Sequence, residues 1–259
     1  NRYYNCWNKN IYLHDFTIDG SKIRLQKGDI PIYDGEKIVY ISKNNIGGAM
    51  GTIGFSAVKN LVIESLIIRN VPQDAIFVRN GGVNTTIRNN VIDGFNMLWY
   101  NGAGINLEFH DNGNLYTTPD APARIEGNTV IGRAPNFCYK TYGEPCTSDS
   151  ACQDFPYPCP TNASPSKMCP GFCGSSFNRD SQIHGISVGK RLAGSITPPY
   201  VVIKENHLSL TNRRNGIDCT ECVQSLIISN TIVPFEAARE NDPFSGSFRG
   251  ISFSGSDSS

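Results

Sequence analysis

Short apolar runs separated by polar turns recur along the chain. Runs such as IYLHDFTIDG, NLVIESLIIRN and YVVIKENHLSL lie between clusters of Gly, Asn and Asp. Periodic arrangements of helix formers are scarce, whereas short β-type runs bounded by turn residues are frequent. The pattern therefore predicts an all-β protein built from many short strands.

Four of these runs share one frame when they are aligned on an isoleucine. They are IRNNVI, IEGNTV, IKENHL and IISNTI, which begin at Ile87, Ile125, Ile203 and Ile227. Each has asparagine at its fourth position, and these asparagines are Asn90, Asn128, Asn206 and Asn230. Two earlier runs, LHDFTI and IESLII, fit the same frame with Phe16 and Leu66 in place of the asparagine.

A second column of isoleucines follows a small residue in AIFV, GINL, GISV, GIDC and GISF. Its members are Ile76, Ile105, Ile186, Ile217 and Ile251. We expect two short strands in each repeat, which bury their apolar faces only by stacking coil on coil. The pattern predicts a right-handed parallel β-helix, a solenoid of about seven coils. Over roughly residues 11–253, outside one insert, it resembles the pectate-lyase-like superfamily of β-helix repeat proteins.

The asparagine column has a structural interpretation in such a stack. Successive coils lie about 4.8 Å apart, so identical side chains align. An inward asparagine at a turn can bind the backbone and the neighbouring amide, which offsets the cost of its burial. We therefore predict a structural ladder formed by Asn90, Asn128, Asn206 and Asn230.

Six of the nine cysteines lie in a proline-rich segment that interrupts the repeat and has no strand periodicity. They are Cys138, Cys146, Cys152, Cys159, Cys169 and Cys173. An even number of cysteines predicts a disulfide-stapled insert, and a zinc site is the alternative. We expect one domain: N-terminal coils over 1–137, the insert over 138–173 and C-terminal coils over 174–259.

The remaining cysteines and two sequons bear on the compartment. Cys219 falls in an inward column and is expected in the core; with Cys222 it has C-x2-C spacing, for which a redox or metal role is the alternative. Asn84 and Asn162 begin Asn-x-Ser/Thr sequons and are candidate glycosylation sites. Disulfides and sequons together predict a secreted or cell-surface protein.

Charge and hydropathy exclude two classes of partner. Lys plus Arg and Asp plus Glu both number 23, so the net charge is zero and the electrostatic footprint of a nucleic-acid binder is missing. No apolar run approaches the roughly 20 residues of a transmembrane helix. Extracellular glycans remain candidate partners, because exposed aromatic side chains can stack on sugars.

Candidate chemistry lies on the outward face of the second column and at its start. Gln73-Asp74 before Ala-Ile, and HGISVG from His184, resemble two motifs of the polygalacturonase family of glycoside hydrolases, and the resemblance implies an acid at Asp74. The family's second adjacent acid is replaced by Ala75, and its Asn-Thr-Asp and Arg-Ile-Lys motifs are missing. Outward positions add further candidates, so the catalytic set of an enzyme would be Asp74, Glu108, His184 and Asp218.

The spacing of these groups argues against catalysis. Asp74 and His184 are expected two coils apart, roughly 10 Å, and Glu108 and Asp218 are also two coils apart. Glycosidase carboxylates must flank one bond at about 5–9.5 Å. A polysaccharide lyase would need a base with carboxylates around calcium, and no acidic cluster of that kind is found. No cofactor or metal is predicted, apart from calcium if the chain is a lyase.

The leading hypothesis is therefore a secreted, glycosylated, non-catalytic module with a structural or adhesive role. No capping helix is predicted at either terminus, and exposed strand edges invite pairing. We expect self-association through the β-helix ends or stacking on neighbouring domains, in the first case as an extracellular filament. The alternatives are a polysaccharide-active enzyme (lyase, hydrolase or epimerase) and a glycan-binding module.

Overall fold

The computed structural model describes the backbone of most repeat segments. The described residues are 8–20, 31–34, 37–40, 52–56, 58–71, 74–79, 82–95, 102–109, 117–132, 137–138, 150, 153, 157–158, 168–169, 173–174, 183–190, 200–210, 215–220, 222, 225–234 and 249–254. The chain divides into two compact units. The first comprises Asn1–Ser21, Met50–Arg133 and Gln182–Ser259, and the second Lys22–Ala49 and Ala134–Ser181.

Three parallel sheets of six strands each form the first unit. The first sheet contains β1 (Asn8–His14), β6 (Val58–Glu64), β9 (Thr86–Arg88), β12 (Ala123–Glu126), β19 (Val201–Lys204) and β22 (Leu226–Ile228). The second contains β2 (Thr17–Asp19), β7 (Ile67–Arg69), β10 (Val91–Asp93), β13 (Thr129–Gly132), β20 (His207–Leu210) and β23 (Thr231–Pro234). The third contains β5 (Ile53–Ser56), β8 (Ile76–Arg79), β11 (Gly102–Phe109), β18 (Ile183–Lys190), β21 (Asn215–Thr220) and β24 (Arg249–Ser254).

The chain visits the three sheets in turn and then repeats, as a β-solenoid does. Since each sheet has six strands, the described residues form six coils. This confirms the all-β prediction and the stacking of parallel strands. The expectation of two strands per repeat is wrong, because IRNNVI contains two strands, β9 and β10, joined by a two-residue corner.

The predicted columns have the register that the sequence indicated. Ile63, Ile87, Ile125, Ile203 and Ile227 are successive partners in the first sheet. Ile76, Ile105, Ile186, Ile217 and Ile251 are successive partners in the third. Most of these inward side chains are completely buried, and they form one continuous apolar core along the stack. Hydrophobic burial between coils is therefore the main stabilising term.

A left-handed residue makes each corner between the first and second sheets. The φ angle is 54–58° at the five non-glycine corner residues, which are Asp15, Ser65, Asn89, Glu205 and Ser229. Gly127 occupies the sixth corner with a φ of 63°. The residue that follows begins the turn into the second sheet, and this is the position of the asparagine column. One left-handed residue thus turns the chain from the first sheet into the second, and the asparagine column begins at the residue that follows it.

The second unit has short antiparallel pairs, described for its backbone only. They are β3 (Pro31–Asp34) with β4 (Lys37–Tyr40), β14 (Phe137–Cys138) with β17 (Cys173–Gly174), and β15 (Tyr157–Pro158) with β16 (Met168–Cys169). The predicted insert therefore contains strands where no strand periodicity was recognised. Of its cysteines, Cys146, Cys152 and Cys159 lie outside the described residues, as does the sequon residue Asn162.

A search for membrane-spanning segments in the described part of the chain found no helix with the length and hydropathy needed to cross a bilayer.

Candidate functional site

The third sheet carries the four predicted catalytic residues. Asp74 lies two residues before the first residue of β8, Glu108 lies on β11, His184 on β18 and Asp218 on β21. In register, Ala103 pairs with His184, and Asp74 lies one strand further from His184 in the same row. The structure therefore places Asp74 and His184 two strand spacings apart, about 9.6 Å along the stack.

Asp74 is tied to the next coil through both carboxylate oxygens. The backbone N–H of Ala103 donates to its Oδ1, and Asn106 Nδ2 donates to its Oδ2 at 3.1 Å. The side chain is only 4% exposed. A buried carboxylate that accepts two such bonds joins β8 to β11, because each donor belongs to the neighbouring strand.

Glu108 and Asp218 lie in separate local networks. Glu108 Oε2 is 3.8 Å from Arg79 Nε, an ion pair with the preceding coil. Asp218 accepts from Asn215 Nδ2 at 2.8 Å and from Thr220 Oγ1 at 3.5 Å, both on its own strand. Glu108 pairs in register with Gly189, and Gly189 pairs with Thr220, so the two carboxylates are two strands apart and offset by two residues.

The imidazole of His184 is nearly buried, with 7% of the residue exposed. None of the four predicted catalytic residues directly opposes another on a neighbouring strand. Within the described ranges, no three His, Cys, Asp or Glu side chains converge in a way that could hold a metal ion. The structure thus distributes the predicted set along the sheet rather than gathering it around one point.

The four asparagines of the predicted ladder are hydrogen-bonded in series inside the stack. Asn90 Nδ2 donates to Asn128 Oδ1 at 2.9 Å, Asn128 Nδ2 to Asn206 Oδ1 at 2.9 Å, and Asn206 Nδ2 to Asn230 Oδ1 at 2.8 Å. Each oxygen also accepts a backbone N–H from the preceding coil, at 3.0 Å in every case. We call this row the inner ladder. It has a direction, since every Oδ1 faces the coil before it.

A second asparagine row lies on the surface, and sequence analysis missed it. Asn84 Nδ2 donates to Asn60 Oδ1 at 3.0 Å, and Asn60 Nδ2 donates to Asn10 Oδ1 at 2.8 Å. All three residues are left-handed, with φ of 51–58°. We call this row the outer ladder. The available signal was the recurrence of Asn three residues before Leu13, Ile63 and Ile87. Asparagine tolerates the left-handed conformation better than most residues do.

Asn84 is exposed, as its sequon required, and its Nδ2 carries one of the bonds of the outer ladder. An amide nitrogen has two N–H bonds, so the bond to Asn60 leaves the second one for a glycan.

Charged residues alternate along an outward row of the first sheet. In register the row runs His14, Glu64, Arg88, Glu126, Lys204. Tyr12 and Arg88 both donate to the Glu64 carboxylate. The Tyr12 hydroxyl, and then the Arg88 guanidinium, lower the pKa of Glu64, and the same contacts raise the pKa values of Tyr12 and Arg88.

Cys219 and Cys222 form a disulfide, with their Cα atoms 5.5 Å apart. Cys219 is fully buried in the third sheet's inward column, as its position predicted, and Cys222 packs against the same core. The core assignment was therefore right but incomplete. The C-x2-C spacing carried the signal for the bond, which sequence analysis weighed only as a redox or metal motif.

Comparisons with models of protein families, with curated proteins and with solved structures each found no match to this chain.

Proposed function

We propose that the chain is a non-catalytic β-solenoid module with a structural or adhesive role in an extracellular protein. The observation that carries this proposal is the bonding of Asp74. The residue that most resembles a catalytic acid has both carboxylate oxygens occupied by donors of the next coil. Because those donors are fixed by the strand register, Asp74 acts as a brace between β8 and β11.

The extracellular part of the proposal rests on cysteine chemistry. The disulfide between Cys219 and Cys222 fits an oxidising compartment, where such bonds persist. The six clustered cysteines and the exposed sequon at Asn84 support the same location. We also infer right-handed winding, since parallel crossover connections are almost always right-handed, and a place in the pectate-lyase-like superfamily with a disulfide-stapled insert.

A glycan-active or glycan-binding role is the second candidate, and one observation favours it. Along the outward face of the third sheet, β18 presents the small residues Ser187 and Gly189 between its two neighbours. Its neighbours present longer polar side chains on either side, which are Asn106, Glu108, Asp218 and Thr220. A shallow floor between two polar walls is a geometry in which a sugar chain can lie.

The change in the free energy of unfolding on Asp74→Asn distinguishes the two roles, because it should be negative for a brace and zero or positive for a catalytic residue. If Asp74 is a brace, the amide weakens its bonds to β11, and the free energy of unfolding falls by about 1–2 kcal/mol. If Asp74 is held for catalysis, its replacement is neutral or stabilising, as substitutions at strained active sites often are. Asp120→Asn, at an exposed turn, is the matched control and should change nothing.

Turnover is measured in parallel on neutral and acidic polysaccharides, by release of reducing ends and of unsaturated uronate. We expect none with the unaltered chain. Turnover that disappears in Glu108→Gln or Asp218→Asn, while the melting temperature is unchanged, would overturn the non-catalytic proposal in favour of the second candidate.

A further inference from the structure

One end of the stack leaves core positions open. This C-terminal end consists of β22, β23 and β24. Ile251 and Phe253 on β24 continue the inward column of Ile217 and Cys219, which are both fully buried. Yet Ile251 is 44% exposed and Phe253 is 66% exposed. Large apolar side chains in core register are thus left at the surface.

The space around the glycines that precede Ile217 and Ile251 shows the same opening independently of side-chain exposure. A Cβ added to Gly216 would lie 2.3 Å from Ile232 Cγ2 and 2.6 Å from the Gly250 carbonyl oxygen. At Gly250, the next glycine in this column, such an atom meets nothing within 4 Å among the described residues. The column is therefore tightly packed up to β21 and open at β24.

Among the described residues, hydrogen bonding is incomplete at this end too. The inner ladder runs toward the C-terminal end, and each of its backbone N–H groups donates to an oxygen of the following coil. Asn230 is the last rung, and its backbone N–H has no such acceptor in the described part of the chain. The outer edge of β24 is likewise without a strand partner in the described residues. Open strand edges of this kind pair readily with other strands.

The opposite end of the same sheet differs. Ile53 on the edge strand β5 occupies the same inward column and is only 8% exposed. In addition, the first coil has Phe16 where later coils have asparagine, so it cannot offer the oxygen that Asn230 lacks. Stacking of the N-terminal end of one copy on the C-terminal end of another would therefore not continue the ladder.

We propose that two copies of this chain associate through their C-terminal ends, with β24 of each pairing antiparallel to β24 of the other. Such an interface is isologous, because the same surface of each copy is used. It closes as a dimer, since the two exposed edges pair with each other and none remains for a third copy. Centring the pair on Ser252 places Ile251 opposite the partner subunit's Phe253, on the inward face. The exposed apolar residues of both copies then cover each other, and the small outward Ser252 and Ser254 cause no obstruction.

The closed dimer differs from an open filament in how mass depends on concentration. Sedimentation equilibrium of the full chain should reach a plateau at twice the monomer mass. A head-to-tail arrangement gives a mass that keeps rising with concentration, because its contacts do not close.

Three aspartate variants locate the interface. Phe253→Asp should raise the dimer dissociation constant about 100-fold or more, because it places a charge at a buried anchor. Phe16→Asp changes an exposed aromatic of the opposite end and should leave the constant unchanged. Val91→Asp changes a residue exposed to 38% in the middle of the stack and should also leave it unchanged. All three positions are exposed in the monomer, so each variant should fold.

A mass that stays at one monomer at all concentrations would overturn this proposal. So would a mass that rises beyond two copies, or a loss of association in Phe16→Asp equal to that in Phe253→Asp. S252C provides a check on register: oxidation should link residue 252 to residue 252 of the second copy, and a link to the first coil would contradict the arrangement. The proposed interface does not involve Asp74, Glu108 or Asp218. Detection of catalytic activity would therefore contradict the proposed function without contradicting the dimer.

Discussion

The inner and outer ladders use the same amide side chain in different ways. Oδ1 of each inner asparagine accepts a backbone N–H from the preceding coil, and in every rung after Asn90 it also accepts a side-chain amide. Each Nδ2 donates to a backbone carbonyl, as Asn128 does to Ile87 O. The side-chain amides of the outer asparagines, by contrast, bond only to one another among the described residues. Asn90 and Asn128 are fully buried, whereas Asn60 and Asn84 are exposed.

The comparison indicates that the stability lost on removing an asparagine depends on whether its former hydrogen-bond partners are left buried and unpaired. A buried N–H or C=O that loses its partner costs its full desolvation energy, whereas an exposed one is hydrated by water. The hydrogen bonds of the inner ladder should therefore stabilise the stacking of the coils. In the outer ladder, asparagine should contribute mainly by tolerating the left-handed backbone conformation.

The largest effect is expected for Asn128→Ala. It removes the acceptor of two Asn90 donors and the donor to Ile87 O, all inside the stack. We expect the free energy of unfolding to fall by about 3 kcal/mol, measured by urea denaturation with circular dichroism. A loss below about 1 kcal/mol, the net value of one ordinary hydrogen bond, would contradict the distinction between the ladders.

The same rule predicts a stabilising substitution at Thr85. This inward residue is fully buried, and its Oγ1 has no hydrogen-bond partner among the described residues. Thr85→Val replaces the hydroxyl with a methyl group of similar size, so stability should rise by about 1 kcal/mol. Thr86→Val, at the outward first residue of β9, should change little. Both variants are compared in protein made without glycosylation, because Thr86 completes the Asn84 sequon. Equal thermal shifts in both variants would count against the explanation.

Asn60 tests the conformational role of the outer ladder. Asn60→Gly removes two exposed hydrogen bonds but tolerates the φ of 54°, so stability should change by about 0.5 kcal/mol or less. Asn60→Ala removes the same bonds and adds left-handed strain, which costs about 1 kcal/mol more. If glycine proved as damaging as alanine, the hydrogen bonds themselves would be the important element.

The smallest expected effect is a difference in pH dependence between the charged contacts of Glu64 and the uncharged amide contacts of the inner ladder. The pKa of Glu64 lies below its ordinary value of 4.5, because Tyr12 and Arg88 stabilise its charged form. A lowered folded-state pKa contributes stability above pH 4.5 and loses it as the pH falls through the folded value. The stability difference between the unaltered chain and Glu64→Gln should therefore shrink below about pH 4. The Asn128→Ala difference should stay constant over that range, and a parallel decline would refute the contrast.

Much of the fold was predictable because a parallel stack repeats its side chains in register. Ile87, Ile125 and Ile203 were aligned from sequence alone, and they are partners in the structure. The second sheet was not recognised as separate, because a corner of only two residues divides β9 from β10. Ser65 and Glu205 form such corners in a left-handed conformation, which serine and glutamate do not favour and which their identity therefore does not predict.

The candidate site was less predictable, because its chemistry depends on neighbours from other coils. Sequence placed Asp74 at the start of a strand but could not show that Ala103 and Asn106 donate to it. For Cys219, the core position was predicted from its column, while the bond to Cys222 required the path of the following turn. Partners distant in sequence leave no local pattern.

The direction of the inner ladder has a consequence for synthesis. The N–H of Leu66 is satisfied by Asn90, that of Asn90 by Asn128, and that of Asn128 by Asn206, always by a residue made later. A nascent chain folding from its N-terminus would therefore always have one unfinished corner, which the next coil to leave the ribosome completes. The solenoid can grow in the order of translation, and each newly added coil stabilises the one before it.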